Sequence, residues 1–330
     1  MRAGGLLLLT FLPACLLAPR SSEAQELSVL LGRLETVRSS HSARAWQVDF
    51  RNGFGKYFAV SGAYLNEGHT PGHKRDGLTA QVWGRIPLFH QRASLDLGVG
   101  PYRYYDTRPL PGGGYVDAHG WAAIYSLTGT YHTDSPWFFR LALNRIDLSR
   151  EEDTNTYMVG LGYHLWEEPY RAPGRSPEPP TDYVTHNELS ALLGQTVVNS
   201  FQDQRGLAGA LEFRKGIARN IDWTLTWLNE GNEKVIRRNG LASQLWLVDD
   251  YLDRRVDLGV GAGAYYFVDR KRAPIPGQEG RSDLAGLLST TASYRFGGSW
   301  SARFLWNRVV SSSNTDTDIF LFGIGYRWRD

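Results

Sequence analysis

The chain has 330 residues, with 36 Lys and Arg against 34 Asp and Glu, and 42% of it is apolar. A formal net charge of +2 with no basic block excludes a nucleic-acid-binding footprint. A mean hydropathy of −0.36, with no apolar run of about 18 residues after the first two dozen, excludes a bundle of membrane helices.

Residues 1–24 place Arg2 ahead of an apolar stretch from Leu6 to Leu17, followed by small residues ending at Ala24 with Ser22 two before it. That layout predicts a secretory signal peptide that is removed after export. The only cysteine, Cys15, lies inside it, so the mature chain has no disulfide, thiolate metal site or cysteine nucleophile.

From residue 25 onward, apolar residues alternate with polar or small ones, which is the period of strands. The first eight are predicted near Glu26 to Leu34, Ala45 to Arg51, Lys56 to Glu67, Gly77 to Ile86, Ala93 to Tyr105, Gly120 to His132, Trp137 to Ile146 and Thr156 to Trp166. Short connections such as TDSP alternate with longer polar ones such as LNEGHTPGHKRD and LSREEDTN. Strands of about ten residues joined this way match tilted membrane-crossing strands.

The second half repeats the first. YLNEG at Tyr64 returns as WLNEG at Trp227, ELSVLLG at Glu26 as ELSALLG at Glu188, and DGLTAQVW at Asp76 as NGLASQLW at Asn239. LDLGVG at Leu95 returns as VDLGVG at Val256, and DTNTYMVGLGY at Asp153 as DTDIFLFGIGY at Asp316, so the offset stays between 161 and 163 residues. The predicted organisation is a signal peptide (1–24), a β-barrel repeat (25–166), a Pro-rich linker (167–187) and a second repeat (188–330).

In the last strand Phe320, Phe322, Ile324, Tyr326 and Trp328 point one way, and Leu321, Gly323, Gly325 and Arg327 the other. Its ending, GIGYRW from Gly323 to Trp328, resembles the closing strand of Gram-negative outer-membrane β-barrels, and Gly160 to Leu165 repeats the pattern. The resemblance implies an all-β, antiparallel transmembrane barrel of 16 strands in the outer membrane, in contact with its lipids and lipopolysaccharide. Two tandem eight-stranded barrels suit the small inward residues Gly98, Gly100, Ser126, Thr128, Gly160 and Gly162, since an interior of that size is filled by side chains. One 16-stranded channel passing small solutes is the alternative.

Agreement between the copies predicts a polar interior of Glu67, Gln81, Asp96, Arg140 and Asn144, matched by Glu230, Gln244, Asp257, Arg303 and Asn307. Asp96 is expected to pair with Arg140, and Asp257 with Arg303, because unpaired charge there is costly. The unit size is also similar to that of lipid A deacylases, whose penultimate strand carries His-x-Ser-Asn after an arginine. Here the strands from Arg140 and Arg303 read RLALNRIDLS and RFLWNRVVSSSN without a histidine, which removes the general base. No catalytic residue, cofactor or metal is expected, and His69 and His73 in a polar loop read as surface, since the second copy replaces both. The expected role is structural, permeation or surface interaction, with hydrolysis of lipid A in the outer membrane as the alternative from the enzyme class.

Overall fold

Alternation of this kind leaves each strand with one face to bury, and closing the sheet on itself also satisfies the edges. The computed structural model describes residues 25–165 and 186–329, apart from 55, 112–113, 149–151, 201–203, 219, 233–235, 253, 273–282 and 312–314. The expected signal peptide and residues 167–185 of the expected linker lie outside the described residues; 186 and 187 already belong to a strand.

The first eight strands are β1 (Gln25–Thr36), β2 (Ser42–Phe54), β3 (Phe58–Thr70), β4 (His73–Leu88), β5 (Ala93–Pro109), β6 (Tyr115–His132), β7 (Trp137–Asp147) and β8 (Thr154–His164). The second eight are β9 (His186–Val198), β10 (Arg205–Ala218), β11 (Ile221–Asn232), β12 (Ile236–Tyr251), β13 (Val256–Arg272), β14 (Leu284–Arg295), β15 (Trp300–Val310) and β16 (Thr317–Arg329). β1 pairs antiparallel with both β2 and β8, and β9 with both β10 and β16, so each set closes as an eight-stranded barrel. The single 16-stranded barrel is therefore not formed.

Within each barrel the side chains sort by face. Leu31, Leu97 and Leu141 of the first barrel and Leu193, Leu207 and Phe322 of the second are each more than 60% exposed on the outer wall. Aromatic pairs sit on the same wall at repeated positions: Trp137 meets Tyr163 with ring centroids 5.0 Å apart, and Trp300 meets Tyr326 at 5.0 Å. A water-soluble protein does not carry continuous apolar walls of this extent. Inside, buried polar residues are joined by an apolar layer that includes Leu30, Leu34, Leu65 and Ile146, which the sequence reading, looking for small and polar partners, did not place there.

The repeated LNEG phrase is a β-bulge. The register between β3 and β4 shifts between Asn66 and Gly68, and that between β11 and β12 between Asn229 and Asn232. Asn66 Oδ1 accepts the Gly68 N–H at 3.0 Å, and Asn229 Oδ1 the Gly231 N–H at 2.7 Å. The glycines sit at φ +76° and +97°, where a side chain is strained, and a Cβ on Gly68 would lie 2.2 Å from the Arg44 carbonyl oxygen. The bulge leaves Glu67 and Glu230 buried in the barrel interiors. Gly68→Val is expected to cost about 1–3 kcal/mol from backbone strain alone, read as a lower urea midpoint of the refolded protein. Gly62→Ala, whose Cβ meets nothing within 4 Å, serves as the near-neutral control.

Candidate functional site: the barrel interiors and their mouths

Each lumen is built in polar layers. At the end where β1 begins, Glu26, Asp49 and Asp96 meet Arg51, Arg85 and Arg140, all within the first barrel. Arg51 Nη1 lies 2.6 Å from Asp96 Oδ2, Arg85 Nη2 3.0 Å from Glu26 Oε1, and Arg140 Nη1 3.1 Å from Asp49 Oδ1, while Arg140 Nη2 donates to Glu26 Oε2. In the second barrel Arg303 contacts Glu212 at 2.7 Å and Glu188 at 3.4 Å, and Arg327 joins Glu188 at 3.1 Å to Asp257 at 3.0 Å. Buried charges of this density persist because each has an opposite partner.

The expected pairs Asp96–Arg140 and Asp257–Arg303 are not made. Arg140 on β7 donates to Glu26 of β1 and Asp49 of β2, whereas Asp96 on β5 is taken by Arg51 and by Arg85 of the adjacent β4. Similar depth does not bring two side chains together when other partners are nearer around the ring. Nor are Asp96 and Asp257 equivalent positions. Asp96 lies opposite Arg85, but Asp257 lies opposite Asp250, two residues further along β12 than Val248, which replaces Arg85 and faces Gly259. A two-residue slip keeps both carboxylates facing inward, which is why the repeated DLGVG motif conceals it.

The middle layer is uncharged and repeated. Gln81 Nε2 donates to Ser126 Oγ at 2.8 Å, and Ser126 to Asn144 Oδ1 at 2.7 Å; Gln244 donates to Ser289 at 2.8 Å, and Ser289 to Asn307. Trp83 lies under the Arg51 guanidinium, 3.7 Å from its ring centroid, and bonds Ser61 Oγ at 2.9 Å. Toward the far end, Arg75 donates to both oxygens of Glu67 at 2.8 Å, and Tyr102 and Thr154 complete that carboxylate at 2.9 and 2.7 Å. Arg238 and Thr317 both donate to one oxygen of Glu230, Oε2, at 2.7 and 2.6 Å, while the Tyr265 hydroxyl donates to the Leu228 carbonyl instead. All ten residues anticipated for the interior are buried there.

Sequence reasoning missed Glu26, Asp49 and Arg51, although Glu188, Glu212 and Arg214 repeat their charges and that recurrence could have found them. Arg85 had no such signal, because its counterpart is Val248.

Above the Glu67–Arg75 pair, at the far mouth of the first barrel, lies a cleft of about 160 Å³. Thr36, Ser39, His41, Thr70, His73 and Glu152 line it. His69 and His73 do not act together: His69 pairs across the hairpin with Lys74, and His73 Nδ1 lies 2.8 Å from Asp106 Oδ2. Among the described residues, no group of three or more His, Cys, Asp or Glu is placed to hold a metal ion. Glu152 clamps the β1–β2 turn, accepting the main-chain N–H groups of Arg38 and Ser39 and the Ser39 hydroxyl at 2.7 Å.

The Ser39 hydroxyl and these N–H groups hold the Glu152 carboxyl below the usual range. A lowered folded pKa gives stability that is present above the unfolded value and lost as pH falls through the folded one. Protection of the Arg38 and Ser39 amides, their exchange relative to the intrinsic rate at each pH, is therefore expected to hold at neutral pH and to be lost only once the pH falls below the usual glutamate range, a change measurable by NMR and absent in Glu152→Gln.

No family model matches the chain, and no curated protein matches it. Among solved structures it is similar to the Yersinia pestis outer-membrane protein Ail, at 16% identity over 43% of this chain and 99% of that one, with a TM-score of 0.33. It is also similar to the β domain of the Bordetella autotransporter BrkA, at 12% identity over 92% and 98% with a TM-score of 0.24. A third is the toluene transporter TbuX of Ralstonia pickettii, at 10% identity over 96% and 93% with a TM-score of 0.25. These are likenesses of fold alone.

Proposed function

We propose that the chain is an outer-membrane protein of two closed, side-chain-filled barrels with no enzymatic activity, and that it works through surface interaction at its outer mouths and loops. The observation that carries this reading is the filling of both lumens by buried ion pairs and hydrogen bonds, which removes a route for solutes while the apolar walls suit lipid. Outer-membrane lipids and lipopolysaccharide are the surrounding partners. On the outer wall of β7, Leu141, Leu143 and Arg145 occupy the positions near Asn144, so no histidine or serine stands there for a lipid A hydrolase.

If β1 begins on the periplasmic side, the Val37–His41 turn faces outward and Tyr57 faces inward. A cysteine at Ser40 should be labelled in intact cells by a membrane-impermeant maleimide, and one at Tyr57 only after the outer membrane is opened. Equal labelling of both, or recovery of the protein in the soluble fraction, would overturn the reading.

A further inference from the structure

We infer that the cleft at the far mouth of the first barrel binds a small organic ammonium compound, of the size of one amino sugar. A volume of about 160 Å³ is enough for a single six-membered ring. Its floor offers nothing further to a ligand, because Glu67 already receives four hydrogen bonds, two from Arg75 and one each from Tyr102 and Thr154.

The walls are rich in acceptors. Asp106 is a carboxylate that only accepts, so the His73 nitrogen facing it, Nδ1, carries a proton, which leaves Nε2 an acceptor whenever the ring holds a single proton. Arg108, at 2.7 Å, already neutralises Asp106. Glu152 is bonded to two main-chain N–H groups and a hydroxyl, all of them neutral, and so brings a negative charge to the cleft. Arg75, the guanidinium lining the cleft, is committed to Glu67, which disfavours phosphate or sulfate. An ammonium group with neighbouring hydroxyls supplies the donors and the positive charge that are missing. The second barrel serves as an internal comparison: it keeps the Glu230–Arg238 floor, but its sequence has Ile236 and Thr315 in place of His73 and Glu152.

The test is calorimetric titration of the folded full-length protein in nanodiscs with glucosamine, ethanolamine, glucose and glucose 6-phosphate. One site per chain is expected for an ammonium ligand. Binding of glucosamine alone assigns a sugar ring, and binding of ethanolamine alone assigns a lipid-headgroup amine. Glu152→Gln, which retains the turn clamp through its amide oxygen, is expected to weaken binding about tenfold or more, and His73→Phe to weaken it comparably, with unchanged heat-modifiable mobility showing that each barrel folds. The proposal is overturned if neither ammonium compound binds, if glucose 6-phosphate binds as tightly, or if Glu152→Gln leaves affinity unchanged. None of these results alters the labelling outcome, which tests membrane placement separately.

Discussion

Arg140→Leu is expected to destabilise the first barrel by about 3–5 kcal/mol, the cost of stripping one partner from a buried ion-pair network. The guanidinium is 1% exposed and binds Glu26 and Asp49 together, with Ser28 and Thr130 as further acceptors. Its removal leaves Asp49 only the longer 3.8 Å contact to Arg51, and leaves Glu26 only Arg85. Replacing Arg140 together with Glu26 and Asp49 by apolar residues of similar volume should recover much of the loss, because the desolvation cost disappears with the charges. Urea titration of the refolded protein, followed by tryptophan fluorescence, reads both changes. An Arg140→Leu protein as stable as the parent would show that the network does not hold the interior.

The second large effect is steric. Trp83 is 3% exposed and lies where a Cβ on Gly98 would come within 2.6 Å of its ring, so the glycine makes room for the indole. Trp246 and Gly261 repeat the arrangement at 2.5 Å, with Arg214 4.7 Å above that ring. Trp83→Ala should cost about 3–5 kcal/mol by opening a cavity, and it also removes the cation–π contact with Arg51. Adding Gly98→Leu to Trp83→Ala should restore part of the stability, whereas Gly98→Leu alone should be strongly destabilising. Additive losses in the double variant would refute the complementarity.

The same residues mark what could be read from the sequence. Alternation alone sorted the faces of β16, with Phe322, Ile324, Tyr326 and Trp328 outward, because a period of two needs no knowledge of neighbours. Pairing needs the register of the closed barrel, and so the partners of Arg140 and the offset between Asp96 and Asp257 were not legible. Strand ends were also missed. β4 begins at His73, not Gly77, and β6 at Tyr115, not Gly120, because the hairpins continue past the apolar wall with polar residues that carry no alternation. The ladder still runs there, pairing His69 with Lys74 and Thr70 with His73. The cleft was invisible for a related reason: it joins Ser39, His73 and Glu152 from three separate hairpins, β1–β2, β3–β4 and β7–β8.

The most direct test of two filled barrels is conductance of the refolded full-length protein in a planar bilayer. The account predicts a silent membrane under applied voltage, with the inserted protein recoverable in its folded, heat-modifiable form. Steady steps of large-pore size would contradict it, since they require an open aqueous path where the buried networks of Glu26, Asp49 and Arg140, and of Glu188, Glu212 and Arg303, now stand.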